Sequence, residues 1–292
     1  MSTQRLRFSR REFVLSVLCA TSTAALAYGV CIEPGFLRRS YYRVPVPGFP
    51  PGGRIRILHI ADLHHGSTMP LSFIEEAFSL GLEMNPDLIT ITGDLIDLRL
   101  ENHKPYRSML QRVARVRPTF ATMGNHDGGL WAHSVGGYED SFGVRAFMEE
   151  SNVTVLHNSA VIWDVRDRPV RLVGLGDLWA GELDAQSAFG ESPIPSNELT
   201  VPTVLLSHNP DTKDSVAAFA WHLMLSGHTH GGQLRIPVTG QTPFAPVRDH
   251  RYVSGLNPWQ DRFIHTSTGV ATTSLLRVNC RPEVTILDLV PV

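Results

Sequence analysis

Along the middle of the chain, short apolar runs alternate with stretches whose apolar positions recur every three or four residues. Ile55 to Ile60, Leu88 to Ile91 and Thr119 to Met123 are runs of the first kind. Too short for helices and apolar on both faces, they read as strands covered on both sides. Pro70 to Met84 and Pro105 to Val116 carry helical spacing, the first with Pro70 near its start, where a missing N–H is harmless. Val144 to Glu150 is a further short helix. Strand, helix, strand, helix, strand in that order predicts a layered α/β fold.

Beyond residue 152 the pattern turns strand-rich. Val153 to Leu156, Val161 to Val165, Arg171 to Val173, Thr203 to Leu206 and His222 to Leu225 read as sheet, and residues 262–267 and 283–290 would close it. Residues 180–202 are polar, with Pro193, Pro195 and Pro202, and read as a loop. Residues 32–53 carry Pro45, Pro47, Pro50 and Pro51 and are expected to form an extended lead without regular structure. No internal repeat or low-complexity tract is present.

The first residues follow a different pattern. Arg5, Arg7, Arg10 and Arg11 precede an apolar run from Phe13 to Val30, and Ser9-Arg10-Arg11-Glu12-Phe13-Val14-Leu15 resembles a twin-arginine export signal. Ala25-Leu26-Ala27 offers a small-x-small cleavage site before Tyr28, so residues 1–27 are expected to be a signal peptide. The alternative is an uncleaved anchor, since the run of 18 residues lies at the lower edge for spanning a bilayer. Either reading predicts a catalytic domain from residue 54 to 292, the lead at 28–53, and a location in the periplasm or cell envelope with the twin-arginine export machinery as a partner.

Composition narrows the picture modestly. The 292 residues are 42% hydrophobic and 18% charged, which suits one globular domain or two and excludes disorder. The formal charge of −2 becomes −5 once the +3 of Arg5, Arg7, Arg10, Arg11 and Glu12 is set aside. A mildly acidic body predicts no nucleic-acid partner, and any phosphate would have to be attracted by local metal charge. Of the three cysteines, Cys31 and Cys280 would survive cleavage, and a bridge between them is permitted though nothing places them together.

The chemistry sits just after the apolar runs. Asp62-Leu63-His64, Gly93-Asp94-Leu95-Ile96-Asp97, Gly124-Asn125-His126-Asp127, Ser207-His208-Asn209-Pro210 and Gly227-His228-Thr229-His230 each follow a predicted strand. In α/β sheets ligands collect beyond the carboxyl ends of strands, so five clusters would converge on one site. Asp-x-His and His-x-His would aim alternate side chains to one side of an extended segment. Singly, each cluster has a plainer explanation: Asp94 and Asp97 could cap a helix, and Gly-Asn-His-Asp favours a turn. Together they offer carboxylate, amide and imidazole ligands for two divalent cations, and a two-metal site activates water and clamps a phosphoryl group.

This ordered pattern resembles the calcineurin-like metallophosphoesterase superfamily over roughly residues 54–290. Gly231-Gly232-Gln233 and Asn279-Cys280-Arg281-Pro282-Glu283 look like its bacterial YaeI/YkuE-type subgroup, with Cys280 where a polar residue is expected. The resemblance implies a four-layer α/β/β/α sandwich. It implies that Asp62, His64 and His230 hold one metal, that Asn125, His208 and His228 hold the second, and that Asp94 bridges them. It further implies that His126 protonates the leaving oxygen, oriented by Asp97, while a metal-bridging hydroxide attacks a phosphate ester, most simply a phosphodiester. Mixed oxygen and nitrogen ligation suits Mn, Fe, Zn or Co, and sequence does not choose among them.

Some residues stay outside the pattern. His59, His65, His103, His133 and His157 read as core or surface, Arg99 and Arg235 as candidates for a phosphate contact, and Asp177-Leu178-Trp179 as a groove wall or a plain turn. Two other functions compete. One is a membrane-associated pyrophosphatase acting on a UDP-sugar lipid, against which the export signal argues. The other is an envelope-binding protein with a structural metal site, against which His126 argues.

Overall fold

Two six-stranded sheets lie face to face in a computed structural model that describes residues 9–66, 69–101, 103–190, 201–273 and 276–292. The strands in chain order are β1 (Arg38–Val46), β2 (Ile55–Ile60), β3 (Leu88–Thr92), β4 (Thr119–Thr122), β5 (Thr154–Val155) and β6 (Ser159–Asp164). They continue with β7 (Pro169–Gly174), β8 (Thr203–Leu206), β9 (Leu223–Ser226), β10 (Gly255–Trp259), β11 (Arg262–Thr266) and β12 (Glu283–Pro291). The helices are α1 (Arg10–Cys31), α2 (Leu71–Leu82), α3 (His103–Val116), α4 (Leu130–Ser134), α5 (Phe142–Glu150) and α6 (Ala185–Phe189). The first sheet has the order β1-β12-β2-β3-β4-β5 and the second β10-β11-β9-β8-β7-β6. β2 through β5 are parallel, as are β7, β8, β9 and β11.

The period-2 alternation of side chains sorts one strand into two cores. Ile55 and Ile57 of β2 lie in the core between the sheets, with Val204, Leu206, Leu223 and Leu225 from the second sheet. Leu58 and Ile60 belong to a different core, shared with α2, α3 and α5. On the far side, Val173, Leu205, Met224 and Ile264 pack with Trp221, Tyr252 and Ala188 of α6. The order helix, sheet, sheet, helix is the expected four-layer α/β/β/α sandwich, thin at the fourth layer because α6 has only five residues.

The predicted strands and helices are present with ends moved by at most two residues, and two regions depart from expectation. The lead is not free of regular structure: Arg38–Val46 forms β1 and pairs in parallel with β12 over nine residues. Pro45 is tolerated within it because β1 is an edge strand, which bonds to a neighbour on one side only, and Pro47, Pro50 and Pro51 follow its end. β10, with Pro258, is an edge for the same reason. In the expected loop at 180–202, Asp184 caps α6 by accepting from the Ser187 N–H. Residues 191–200, with Pro193 and Pro195, lie outside the described residues, as do Arg5 and Arg7.

The apolar N-terminal run is helical. α1 is opened by a capping box between Ser9 and Glu12 and passes unbroken through Ala25-Leu26-Ala27. By length and composition it could cross a membrane, and its described side chains are mostly exposed. Cys19, Cys31 and Cys280 are all free thiols, so the permitted Cys31–Cys280 bridge is not formed.

Candidate metal centre

The loops after β2, β3, β4, β8 and β9 meet at one end of the sandwich, because parallel strands in each sheet point their carboxyl ends the same way. The structure brings the expected ligand residues together there. Asp62, His64, Asp94 and His230 each place a ligand atom within 4.8 Å of the others. Asp94 Oδ2 lies 3.4 Å from His64 Nε2 and 3.2 Å from His208 Nε2, and so stands between the two histidine sets. The His208 and His228 rings are 5.1 Å apart, edge to face.

Local backbone does not follow the extended geometry expected for Asp-x-His and His-x-His. Asp62, His64, Asp94, His228 and His230 all have positive φ, between 41° and 69°. Left-handed backbone at a non-glycine residue costs on the order of 1–3 kcal/mol and persists only where neighbours impose it. Here they do: the Asp62 and His64 N–H groups donate to the Gly93 and Asp94 carbonyls at 3.1 and 2.9 Å. Glycines allow the loops to touch. A Cβ on Gly93, Gly124 or Gly227 would lie 2.2–2.4 Å from His208, Asp94 or Asp62 respectively.

Hydrogen bonds fix which atoms face the centre. His208 Nδ1–H donates to the Thr92 carbonyl at 2.9 Å and His230 Nδ1–H to the Ala271 carbonyl at 3.1 Å, leaving Nε2 of each for a metal. Asp62 Oδ2, Asn125 Oδ1, His208 Nε2 and His228 Nε2 are buried with no hydrogen-bond partner. His64 Nε2 and His230 Nε2 face each other at 3.2 Å. Buried polar atoms are ordinarily paired, so orphaned acceptors converging around a carboxylate fit divalent cations with mixed oxygen and nitrogen ligands.

Without cations the same crowding perturbs titration. Burial pushes the Asp62 carboxyl up to about 7, with His208 opposing. Burial also works against ionised Asp94, but His208, His126 and His64 hold it well below the usual range. Burial and Arg277 push His230 down to about 3. His126 is lifted to about 9, burial opposing and the carboxylates of Asp94 and Asp97 prevailing. Bound cations would cancel much of the Asp94 pull, so these values belong to the metal-free protein.

His126 stands over the centre, its ring 4.5 Å from His64 and 4.3 Å from Trp131. Asp97 orients it differently from the expectation. The His126 Nδ1–H donates at 2.5 Å to the main-chain carbonyl of Asp97, while the Asp97 carboxylate stays 3.7 Å away and partly exposed. The carbonyl fixes the same tautomer a carboxylate would.

Two further aspartates shape the site through hydrogen bonds to main-chain N–H groups. Asp127 is fully buried and accepts from the Leu95, Ile96 and Gly124 N–H groups at 2.8, 3.1 and 2.7 Å, stapling the second cluster to the third. Its signal in the sequence is the Gly-Asn-His-Asp turn itself. Asp177 is buried and caps the turn before Trp179, whose ring meets His228 at 4.4 Å. Trp179 and Trp131 line the cleft over the centre, which measures about 460 Å³, so the 177–179 segment is a turn that contributes Trp179 to the groove wall. Neither Arg99 nor Arg235 lines this cleft; Arg99 donates to the Gly136 carbonyl and Arg235 to the Ser254 hydroxyl.

A two-sheet sandwich with buried Asp, Asn and His side chains gathered at its strand ends has the arrangement of a metallophosphoesterase. The family model for calcineurin-like phosphoesterases matches residues 55–232, and the chain belongs to that family. It is 41% identical over 290 residues to the phosphodiesterase YaeI of Escherichia coli K12, covering 97% of this chain and 99% of that one. It is 25% identical to the uncharacterized metallophosphoesterase YkuE of Bacillus subtilis, covering 97% and 98%. It is 24% identical to the UDP-2,3-diacylglucosamine pyrophosphatase LpxG of Chlamydia muridarum, covering 94% and 95%. The protein is a metal-dependent phosphoester hydrolase.

Proposed function

We propose that the protein is a dinuclear phosphodiesterase in which Asp62, His64 and His230 hold one cation, Asn125, His208 and His228 hold the other, and Asp94 joins them. The observation that carries this reading is the cluster of Asp62, His64, Asp94 and His230, with the unpartnered His208 Nε2 3.2 Å from Asp94 and the unpartnered Asn125 Oδ1 and His228 Nε2 belonging to residues of the same cleft. Two cations held there would supply a lowered water pKa and neutralise charge on the phosphoryl oxygens. The chain's own groups do the rest. His126, with Nδ1–H committed to the Asp97 carbonyl, presents Nε2 as the proton donor for the leaving oxygen. Trp131 and Trp179 wall the cleft and limit which esters enter. The test is metal-stripped protein restored with Mn, Zn, Fe(II) or Co and offered bis(p-nitrophenyl) phosphate and p-nitrophenyl phosphate. Turnover of the monoester alone would make it a phosphatase instead.

The export reading rests on Arg10-Arg11 at the start of α1, whose apolar run from Phe13 to Val30 would measure about 27 Å at 1.5 Å per residue, close to the thickness of a bilayer core. On this reading the catalytic domain works outside the cytoplasm, released or tethered. Activity of a C-terminal reporter that works only on one side of the membrane tests it. A second substrate reading is a lipid pyrophosphate, as LpxG's name states for that protein. What supports it is that the end of α1 lies beside Leu276, a residue of the cleft wall, so a membrane crossed by α1 would lie near the cleft. Cytoplasmic placement of the reporter together with turnover of a lipid pyrophosphate would support that reading over export.

A further inference from the structure

The last turn of α1 and the residues after it are bonded to the structure that holds His230. The Gly29 carbonyl accepts the Arg277 N–H at 2.9 Å. A Cβ on Gly29 would lie 2.8 Å from the Arg277 carbonyl oxygen and 2.9 Å from side-chain atoms of Leu276 and Val278, so nothing larger than glycine fits. Four residues on, the Glu33 carboxylate is buried at 2% exposure and accepts the Asn279 and Cys280 N–H groups at 3.0 and 2.6 Å. Thus Gly29 and Glu33 hold the turn at 277–280 from outside.

The same turn grips His230 from inside. The Cys280 thiol donates to the His230 carbonyl at 3.0 Å. The Arg277 guanidinium is buried and donates to the carbonyls of Thr268, Ala271 and Cys280 at 2.9, 2.5 and 2.9 Å. Ala271 is the residue whose carbonyl accepts His230 Nδ1–H, and its own N–H donates to the Asp62 carbonyl at 2.8 Å. One turn therefore fixes the His230 ring, the His230 main chain and the loop beside Asp62.

We propose that residues 29–33 are a brace of the metal centre and that Glu33 is a positioning residue for His230. The inference rests on the dinuclear reading above. Groups behind a metal-binding histidine orient it, and their removal typically costs about 10–100-fold in metal affinity. The end of the N-terminal helix is then part of the site's support. A cut between Ala27 and Tyr28 leaves the brace intact, and a cut beyond Glu33 removes it.

The test uses the full chain and its Glu33→Gln, Glu33→Ala and Gly29→Ala variants, loaded with Co(II). Affinity is read by competition with a chelator, coordination by the visible spectrum, and stability by the thermal midpoint of the metal-free forms. The brace predicts that one of two Co(II) sites weakens by roughly 10–100-fold in Glu33→Ala and less in Glu33→Gln, with a changed spectrum for that site and the other site retained. Gly29→Ala should weaken the same site. If Glu33→Ala does not fold, Glu33→Gln and Gly29→Ala decide. Wild-type affinity and spectrum in the folded variants, whatever their thermal midpoint, would overturn the brace alone. Failure of the unmodified chain to take up any divalent cation would overturn the dinuclear reading and the brace with it.

Discussion

Gly227→Ala isolates the packing that sets Asp62, one of the proposed metal ligands. Gly227 does not have positive φ, so alanine meets no backbone penalty there, only contact. Its Cβ would lie 2.3 Å from Asp62 Oδ2 and 2.7 Å from Ala61 Cβ, against an ordinary contact beginning at 3.4 Å. The carboxylate would have to retreat by about 1 Å, several times the roughly 0.2 Å tolerance of a metal–ligand distance. Misplacing a reacting group by about 1 Å costs on the order of 10²-fold in rate. Overpacking a core costs about 1–3 kcal/mol. The variant should fold, with a thermal midpoint lowered by several degrees, and bind roughly one cation in place of two. It should lose on the order of 10²-fold in kcat/KM on bis(p-nitrophenyl) phosphate. Metal content by elemental analysis and steady-state kinetics read the two effects separately. Two tightly bound cations with unchanged turnover would refute the claim that Gly227 sets the Asp62 carboxylate.

His126→Ala should keep both cations and lose about 10²–10⁴-fold in kcat, more for an alkyl leaving group than for nitrophenolate, which needs little protonation; kinetics with both kinds of ester check this. Asp127→Asn turns one acceptor into a donor against the N–H groups of Leu95, Ile96 or Gly124 and should cost about 1–3 kcal/mol for each N–H left unpaired, read by urea unfolding. The buried His59–His265 pair, Nδ1 to Nδ1 at 2.9 Å, sets an acid limit. Burial pushes His265 down to about 4, Glu283 opposing, and pushes His59 well below its ordinary value. Because the unfolded chain takes up the proton first, the stability from His265 is complete above about pH 6.5 and is lost as pH falls from there through 4, a change of about 3 kcal/mol. Metal-stripped wild type should therefore lose more urea resistance between about pH 7 and 4.5 than His265→Asn does.

Much of this architecture is legible in the sequence because the sheets are covered on both faces. Runs such as Leu88 to Ile91 then read as buried strands, and each candidate ligand cluster can be placed at a strand end. β1 and β10 escape such reading because Pro45 and Pro258 look like breakers until edge positions are known. The positive φ of Asp62, His64, Asp94, His228 and His230 leaves no trace in residue type, so the extended geometry that alternate spacing suggests is not the one the backbone uses. Asp97 works through its carbonyl, which every residue has. Asp127, Arg277 and Glu33 act through burial and main-chain bonds to distant segments, and no local spacing announces such contacts.

The central claim is that two cations held around Asp94 support hydrolysis of a phosphodiester. Its most direct test is bis(p-nitrophenyl) phosphate turnover by metal-stripped protein before and after a divalent cation is restored, beside Asp94→Asn. The stripped protein should show no turnover and should recover with two bound equivalents, and Asp94→Asn should show neither recovery nor full metal uptake. Turnover without metal, or wild-type recovery in Asp94→Asn, would contradict that claim.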